Sequence, residues 1–322
     1  MKLARRDILR LTASMAAMPA LSRIAAADEY PTRPVRLMVG FAAGAGPDII
    51  ARLTGEWLTR RLGQPFVVEN RPGGAGNIAT ANVIRALPDG YTLLHITVAN
   101  AIHPRLNDGA WFPAEIAPVA AVVRSSFFLL VNPSSQVRTI PDFIDYAKAN
   151  PGKIAVGSSS TGTAPYMSAT LFRIMCGIDV LQVPYAGTPQ AVTELLAGRV
   201  QAVFADPSSI EFIKAGKLRA LGVTTSARQS VLPDVPSIGA FIPGYEASTW
   251  HGVGAPKQTA PAVVERLNSE INEGLRDPTI KAQFAKIGCA VIGGSPLDFG
   301  KLIAEETAKW SKVLEVAGVG SN

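Results

Sequence analysis

Two glycine-rich turns carry most of the chemistry this sequence offers. The first, GFAAGAGPD, runs from Gly40 to Asp48, and the second, VGSSSTGTAP, from Val156 to Pro165. Each follows a strand-like apolar run and opens a helix pattern. Free N–H groups and the positive end of a helix dipole then face whatever sits in the turn, which is the chemistry of anion binding. The first turn is no dinucleotide fingerprint, because Ile49 stands where G-x-G-x-x-G needs its third glycine, and only Glu69 is placed as a ribose partner. No G-K-[ST] follows, so it is no P-loop. The second has Thr161 where a nucleophile elbow needs glycine, and Gly162 precedes Thr163 instead of lysine. Neither turn carries Lys or Arg. An anion held only by N–H dipoles and the hydroxyls of Ser158, Ser159, Ser160, Thr161 and Thr163 matches a carboxylate better than a triphosphate. The bland alternatives are a tight turn whose glycines supply positive φ and a Ser/Gly linker.

Other residues at strand ends are candidates for the same crevice. Asp48 has two readings: it accepts hydrogen bonds from its own loop, or it contacts a ligand that carries an ammonium group. In VPYAGTPQA, Tyr185, Ala186 and Gly187 end a strand, Thr188 is placed as an N-cap and Pro189 as the first helical residue. Asp206, in FADPSS, can cap the following turn or contact a ligand. Catalysis finds little support, since no serine has a His/Asp partner in motif context. Two cysteines (Cys176, Cys289) and three histidines (His95, His103, His251) without ligand spacing argue against a metal site. No cofactor is expected. Both cysteines read as small buried thiols, and His251 as packed near a junction between lobes.

The elements around these turns define a large α/β protein. The chain has 322 residues, 48% hydrophobic and 17% charged, enough for two cores. After residue 27, apolar strand runs alternate with amphipathic helix patterns, which calls for mixed, mostly parallel sheets flanked by helices. Around PVAAVVRSSFFLLVNPSS the pattern becomes one long crossing strand, after which the alternation restarts. The expected architecture is two lobes: 28–125 with 252–322, and 126–251. Such folds bind ligands in the crevice at the carboxyl ends of their strands.

The first 27 residues read as an export signal. They hold Lys2, Arg5, Arg6, Arg10 and Arg23 against Asp7, a mildly apolar stretch, and Ala25-Ala26-Ala27 as a cleavage site. Arg5-Arg6 followed by Asp7, Ile8 and Leu9 fits a twin-arginine signal, with an ordinary secretory signal as the alternative. Five cations against one anion lie there, so removing the segment takes the formal charge from +6 to +2. A nearly neutral mature chain has no electrostatic case for nucleic acid.

Several longer stretches together resemble the Bordetella uptake gene (Bug) receptors, substrate-binding proteins of tripartite tricarboxylate transporters. They are VENRPGGAGNIATANVIRALPDGYTLL, ANPGKIAVGSSSTGT, VPYAGTPQAVTELLAGRVQAVFAD, IKAGKLRALGVTTSARQSVLPDVPS and GYEASTWHGVGAPKQTAPAVVERLN, in the family's order. The resemblance implies a two-lobed periplasmic binding protein of the type II, Venus flytrap kind. It would be a monomer that closes on a small organic carboxylate and serves membrane transporter subunits. The carboxylate would be pinched between Phe41–Asp48 (Phe41, Ala43, Gly44, Ala45, Asp48) and Ser158–Thr163 (Ser158, Ser159, Thr161, Gly162, Thr163). Tyr185, Ala186, Gly187 and Asp206 would line the cleft. Two departures stand out. Ala45 and Pro47 alter the family's F-P-x-G-G-x-x-D loop, removing one N–H donor, and Tyr166 replaces a common histidine. Sensing for a signalling partner, or an exported serine hydrolase using Ser158 or Ser160, are the alternatives.

Overall fold

The computed structural model describes residues 30–102 and 114–317. The export signal and His103 lie outside the described residues. A six-stranded sheet has the order β11-β4-β10-β3-β1-β2. Its strands are β1 (Val35–Val39), β2 (Phe66–Asn70), β3 (Thr92–Thr97), β4 (Ile116–Ser126), β10 (Ser248–Pro256) and β11 (Cys289–Val291). A five-stranded sheet, β7-β6-β8-β5-β9, is built from β5 (Phe128–Val131), β6 (Ala155–Ser159), β7 (Leu181–Tyr185), β8 (Ala202–Ala205) and β9 (Arg219–Val223).

Each sheet has a parallel half and an antiparallel half. β1 pairs in parallel with β2 and β3, and β6 with β7 and β8, as the β–α alternation predicts. The strands that carry the chain between sheets pair antiparallel: β10 with β3 and β4, β5 with β8 and β9. Their antiparallel share exceeds what the alternation alone suggests. A strand that crosses out of a sheet and one that returns run in opposite directions, so they pair most directly that way.

The long apolar segment is two strands. β4 ends at Ser126, Phe127 is 2% exposed between the sheets, and β5 starts at Phe128. The return falls earlier than the sequence suggested. Ser248 already pairs with Ser126, and His251 with Val123, so residues 248–251 are strand residues of the first sheet. Polar Ser248, Thr249 and His251 gave no hydrophobic alternation from which to read that register.

Apolar residues beneath each sheet explain the helix placement. Helix α1 (Gly46–Leu62) buries Ile50, Ala51 and Leu58 against β1, joining Val35, Leu37, Val39 and residues of α8 (Pro261–Arg276). In the second lobe, α4 (Ile140–Ala149) and α5 (Ala164–Cys176) bring Phe143 and Phe172 against Phe204 of β8. Helix α6 (Thr188–Leu196) seals the other face with Ala191, Val192 and Leu195. Remaining helices are α2 (Asn77–Ile84), α3 (Val98–Ile102), α7 (Ile210–Lys214), α9 (Pro278–Lys286) and α10 (Pro296–Ala317). Close backbone approach fixes one glycine: a Cβ on Gly40, just after β1, would stand 2.4 Å from Gly76 Cα.

Candidate functional site

The sheets meet at a cavity with an empty volume of about 520 Å3, its mouth included. Three helix N-termini reach it: Ala45–Pro47 at α1, Thr163–Pro165 at α5, and Gly187–Thr188 at α6. None of the three has a side-chain cap. Side chains do cap other helices, with a Thr139–Asp142 capping box on α4 and Asp277 on α9, although α2, α7 and α8 also begin without one. The convergent N-termini therefore present donors and dipoles to the cavity instead of to their own side chains. Among the described residues no Lys or Arg lines it, and Asp206 is the one charged lining residue.

The first turn is largely self-satisfied. Asp48 is buried and accepts from Gly44 N–H at 2.9 Å, Arg52 Nε at 3.0 Å and Asn70 Nδ2 at 2.8 Å. Burial pushes its carboxyl up, but the bonds from Arg52, Gly44 and Asn70 outweigh burial and the net shift is downward. Asn70 also ties the loop through Phe41 O at 3.1 Å. Ala45 N–H donates to Ala42 O, and Pro47 has no N–H. The outermost donor, Gly46 N–H, is met from the other lobe by Asp206 Oδ2 at 3.2 Å. A Cβ on Gly46 would lie 3.1 Å from that same oxygen. A resident carboxylate thus stands at the first helix terminus and spans the two lobes.

The second turn is knitted by hydroxyls. Ser159 Oγ and Thr163 Oγ1 are 2.6 Å apart, and Thr163 Oγ1 donates to Ser160 O at 2.6 Å. Ser160 Oγ donates to Tyr185 O, and Ser158 Oγ, fully buried, to Ser159 O. Asp206 also caps its own turn through Ser208 N–H. The N-cap of α6 is Gly187, with Thr188 the first helical residue, one position from the sequence reading.

Of the residues singled out from sequence, the cavity brings together Phe41, Ala45, Ser159, Thr163, Ala186, Gly187 and Asp206. It does not include Ala43, Gly44, Asp48, Ser158, Thr161, Gly162 or Tyr185. Ala43, Gly44 and Thr161 are exposed on the turns, while Asp48 and Ser158 are turned to internal partners. Glu69 is held by Arg36 at 2.6 Å.

Sequence reading missed the floor: Thr97, Ser125, Phe127, Thr249 and His251. These come from strand interiors and crossing points; the one signal of Thr97, Ser125, Thr249 and His251 was polarity inside apolar runs, and Phe127 gave none. Beneath them lies a buried histidine pair, His95 Nε2 to His251 Nδ1 at 3.1 Å, with Ser125 Oγ 3.4 Å from His251 Nε2. Burial lowers His95 to about 3 and holds His251 well below its ordinary value, so both imidazoles are neutral. The two cysteines are free: Cys289 is buried, its thiol pushed up to about 12 by burial and Asp206, whereas Cys176 is only partly buried. Among the described residues no group of His, Cys, Asp and Glu could hold a metal, and no helix is long and apolar enough to cross a membrane.

Comparisons with known proteins show the family and the fold. The family model described as "Tripartite tricarboxylate transporter family receptor" matches residues 50–319. Protein BugT of Bordetella pertussis is 33% identical over 97% of this chain and 98% of its own. The solved structure titled "R. palustris Rpa4515 with adipate" is 34% identical, with a TM-score of 0.88 over 91% of this chain and all of that one. MatC from Rhodopseudomonas palustris, with bound malate, is 28% identical, with a TM-score of 0.81 over 88% of this chain and all of its own. A two-lobed α/β chain with uncapped helix termini around one cavity, matched along nearly its whole described length, belongs to the tripartite tricarboxylate transporter receptor family.

Proposed function

We propose that the exported mature chain is a periplasmic, monomeric receptor that captures a small organic carboxylate and delivers it to its membrane transporter. One observation carries the carboxylate: three helix N-termini, none capped by its own N-cap side chain, converge on a cavity with no Lys or Arg among its described lining residues. Such a site neutralises one carboxylate through N–H dipoles but lacks the charge for a polyphosphate. Relatives holding adipate and malate support the same class.

In this reading the lobes are 30–126 with 248–317, and 127–247. The contacts come chiefly from Ser159, Thr163, Ala164, Gly187 and Thr188, with Asp48 a brace behind the first turn. Catalysis is not part of the function. The pair most like a nucleophile and its base, Ser125 and His251, is 3.4 Å apart, and burial leaves that imidazole too weak a base near neutral pH.

The test is thermal unfolding of residues 28–322 against carboxylates and the amides of the same skeletons. A carboxylate at 100 times its dissociation constant should add about 2.7 kcal/mol, and the matching amide nothing. Amides that stabilise equally, or carboxylates that never do, defeat the reading. Ester turnover by the same protein would instead establish an enzyme.

A further inference from the structure

The turn that follows β8 is seated against the first lobe on two sides. Asp206 ends the strand region and caps the short turn Pro207–Ser209, and its two carboxylate oxygens have different tasks. Oδ1 accepts from Ser208 N–H at 3.0 Å and from Ser208 Oγ, which fixes the side chain within its own turn. Oδ2 is left to point outward, where it accepts from Gly46 N–H at 3.2 Å in a buried bond. On the other side, a Cβ on Gly288, between α9 and β11, would stand 3.1 Å from Ile210 Cδ1 and 3.7 Å from Pro207 Cβ. Residues 206–210 therefore rest on both the start of α1 and the α9–β11 turn.

The two seats differ in their relation to the crossing strands. Cys289, next to Gly288, pairs with Ser125, one residue before the end of β4, so this seat lies beside the crossing. Gly46 follows β1, which is two places removed from β10 in the sheet order. Rotation of one lobe away from the other about the crossing strands keeps the Gly288 seat and breaks the Gly46 bond. That bond is a strong one of its kind: the acceptor is a carboxylate, and it lies at the positive end of the α1 dipole. Gly46 N–H belongs to the first turn of the helix, where no carbonyl of the same helix can meet it. Return of both groups to water on opening offsets part of this gain. Every atom of the contact belongs to the chain itself.

We propose that Asp206 is a latch: the receptor closes on its own carboxylate, and its lobes rest together before any ligand arrives. Gly46 is the matching half, since a Cβ there would crowd Asp206 Oδ2 at 3.1 Å. Capture then begins with release of the latch. A ligand meets only the open fraction, so its rate of association levels off at the rate of opening as ligand is raised.

The experiment uses the mature chain, residues 28–322, unfolded in denaturant, dialysed free of ligand and refolded. It reads amide exchange at Gly46 by NMR and the radius of gyration by small-angle scattering. The wild-type Gly46 amide should be protected about ten-fold or more relative to an unstructured chain, and this reading needs no variant. Asp206→Asn should lose that protection and expand the protein. Asparagine keeps the shape but has one acceptor oxygen, so it serves Ser208 or Gly46 and not both. Gly46→Ala should expand the protein too, by crowding the latch with its charge intact. In an Asp206→Ala background Gly46→Ala should do nothing further, because the oxygen it crowds is gone. A wild-type Gly46 amide that exchanges freely, variants as compact as wild type, or a Gly46→Ala expansion that persists without Asp206 overturns the latch. No ligand enters these measurements, so the latch stands or falls apart from the carboxylate reading.

Discussion

The two turns that look alike in sequence are built on opposite principles. GFAAGAGPD is braced by charge: a buried carboxylate, Asp48, holds its own loop, and a second carboxylate, Asp206, arrives from the other lobe to meet Gly46 N–H. VGSSSTGTAP is braced by neutral hydroxyls, with Ser159, Ser160 and Thr163 bonded among themselves. A turn already filled with negative charge is a poor place for another anion, whereas the hydroxyl turn, whose O–H protons are spent on its own oxygens and on Tyr185 O, leaves the N–H groups that open α5 to meet one. A strand–turn–helix motif therefore supplies an anion site only when its donors are left unspent. The first arm is chiefly a frame and the second chiefly a hand.

Acid separates the two arms most strongly. The buried titratable groups around the first turn are Asp48, Asp206, His95 and His251, whereas the second turn has only hydroxyls. The imidazoles stay neutral when folded and ionise near 6.5 when unfolded, so the unfolded state binds more protons below that value. Their contribution is complete above pH 6.5; that of His95 is lost as the pH falls toward about 3, at about 1.4 kcal/mol per pH unit, and that of His251, also held well below its ordinary value, is lost in the same direction. Asp48, shifted downward, adds a further loss as the pH falls through its folded value. Denaturant titrations at pH 7, 6 and 5 measure the slope. Hydrogen exchange should open Phe41–Asp48 before Ser158–Thr163, and the reverse order would break the comparison.

Asp48→Ala is the next largest effect. It strips the Gly44, Arg52 and Asn70 bonds at once and should cost about 2–3 kcal/mol of stability. Ligand affinity, measured on the fraction that remains folded, should change little. A large loss of affinity at preserved stability would move Asp48 from frame to ligand contact.

Thr163→Val is expected to do the converse. Its shape is kept, its hydroxyl bonds to Ser159 and Ser160 are lost, and stability should fall by no more than about 1 kcal/mol. Binding of a stabilising carboxylate should weaken about ten-fold, or ~1.4 kcal/mol. Calorimetry on the two variants side by side tests the contrast, and equal binding losses would make the arms equivalent after all.

Much of the frame was legible because it is local. The apolar spacing of Ile49, Ile50, Leu53, Trp57 and Leu58 and the terminating Gly63 predict α1, which runs over Gly46–Leu62 with Gly63 at φ 70°. Pro47 was legible as a lost donor from its type alone. The share of each turn that reaches the cavity was not. Ala43 and Asp48 sit within a few residues of Ala45, and which of them lines the cavity depends on how the turn folds back. The early return at Ser248 was hidden too, since its register is set by pairing with Ser126, 122 positions away.

By itself the sequence determined the alternation of strands and helices, the crossing between two lobes and the neutral, glycine-rich turns. Each of these follows from side-chain periodicity and backbone freedom over a few residues. Only the tertiary structure decided where the charges and donors go. Asp206 meets Gly46 across 160 positions, and His95 meets His251 across 156. The physical reason is that a hydrogen bond is made at about 3 Å. Nothing in the type of a single aspartate or histidine says which distant strand will bring a partner to that distance.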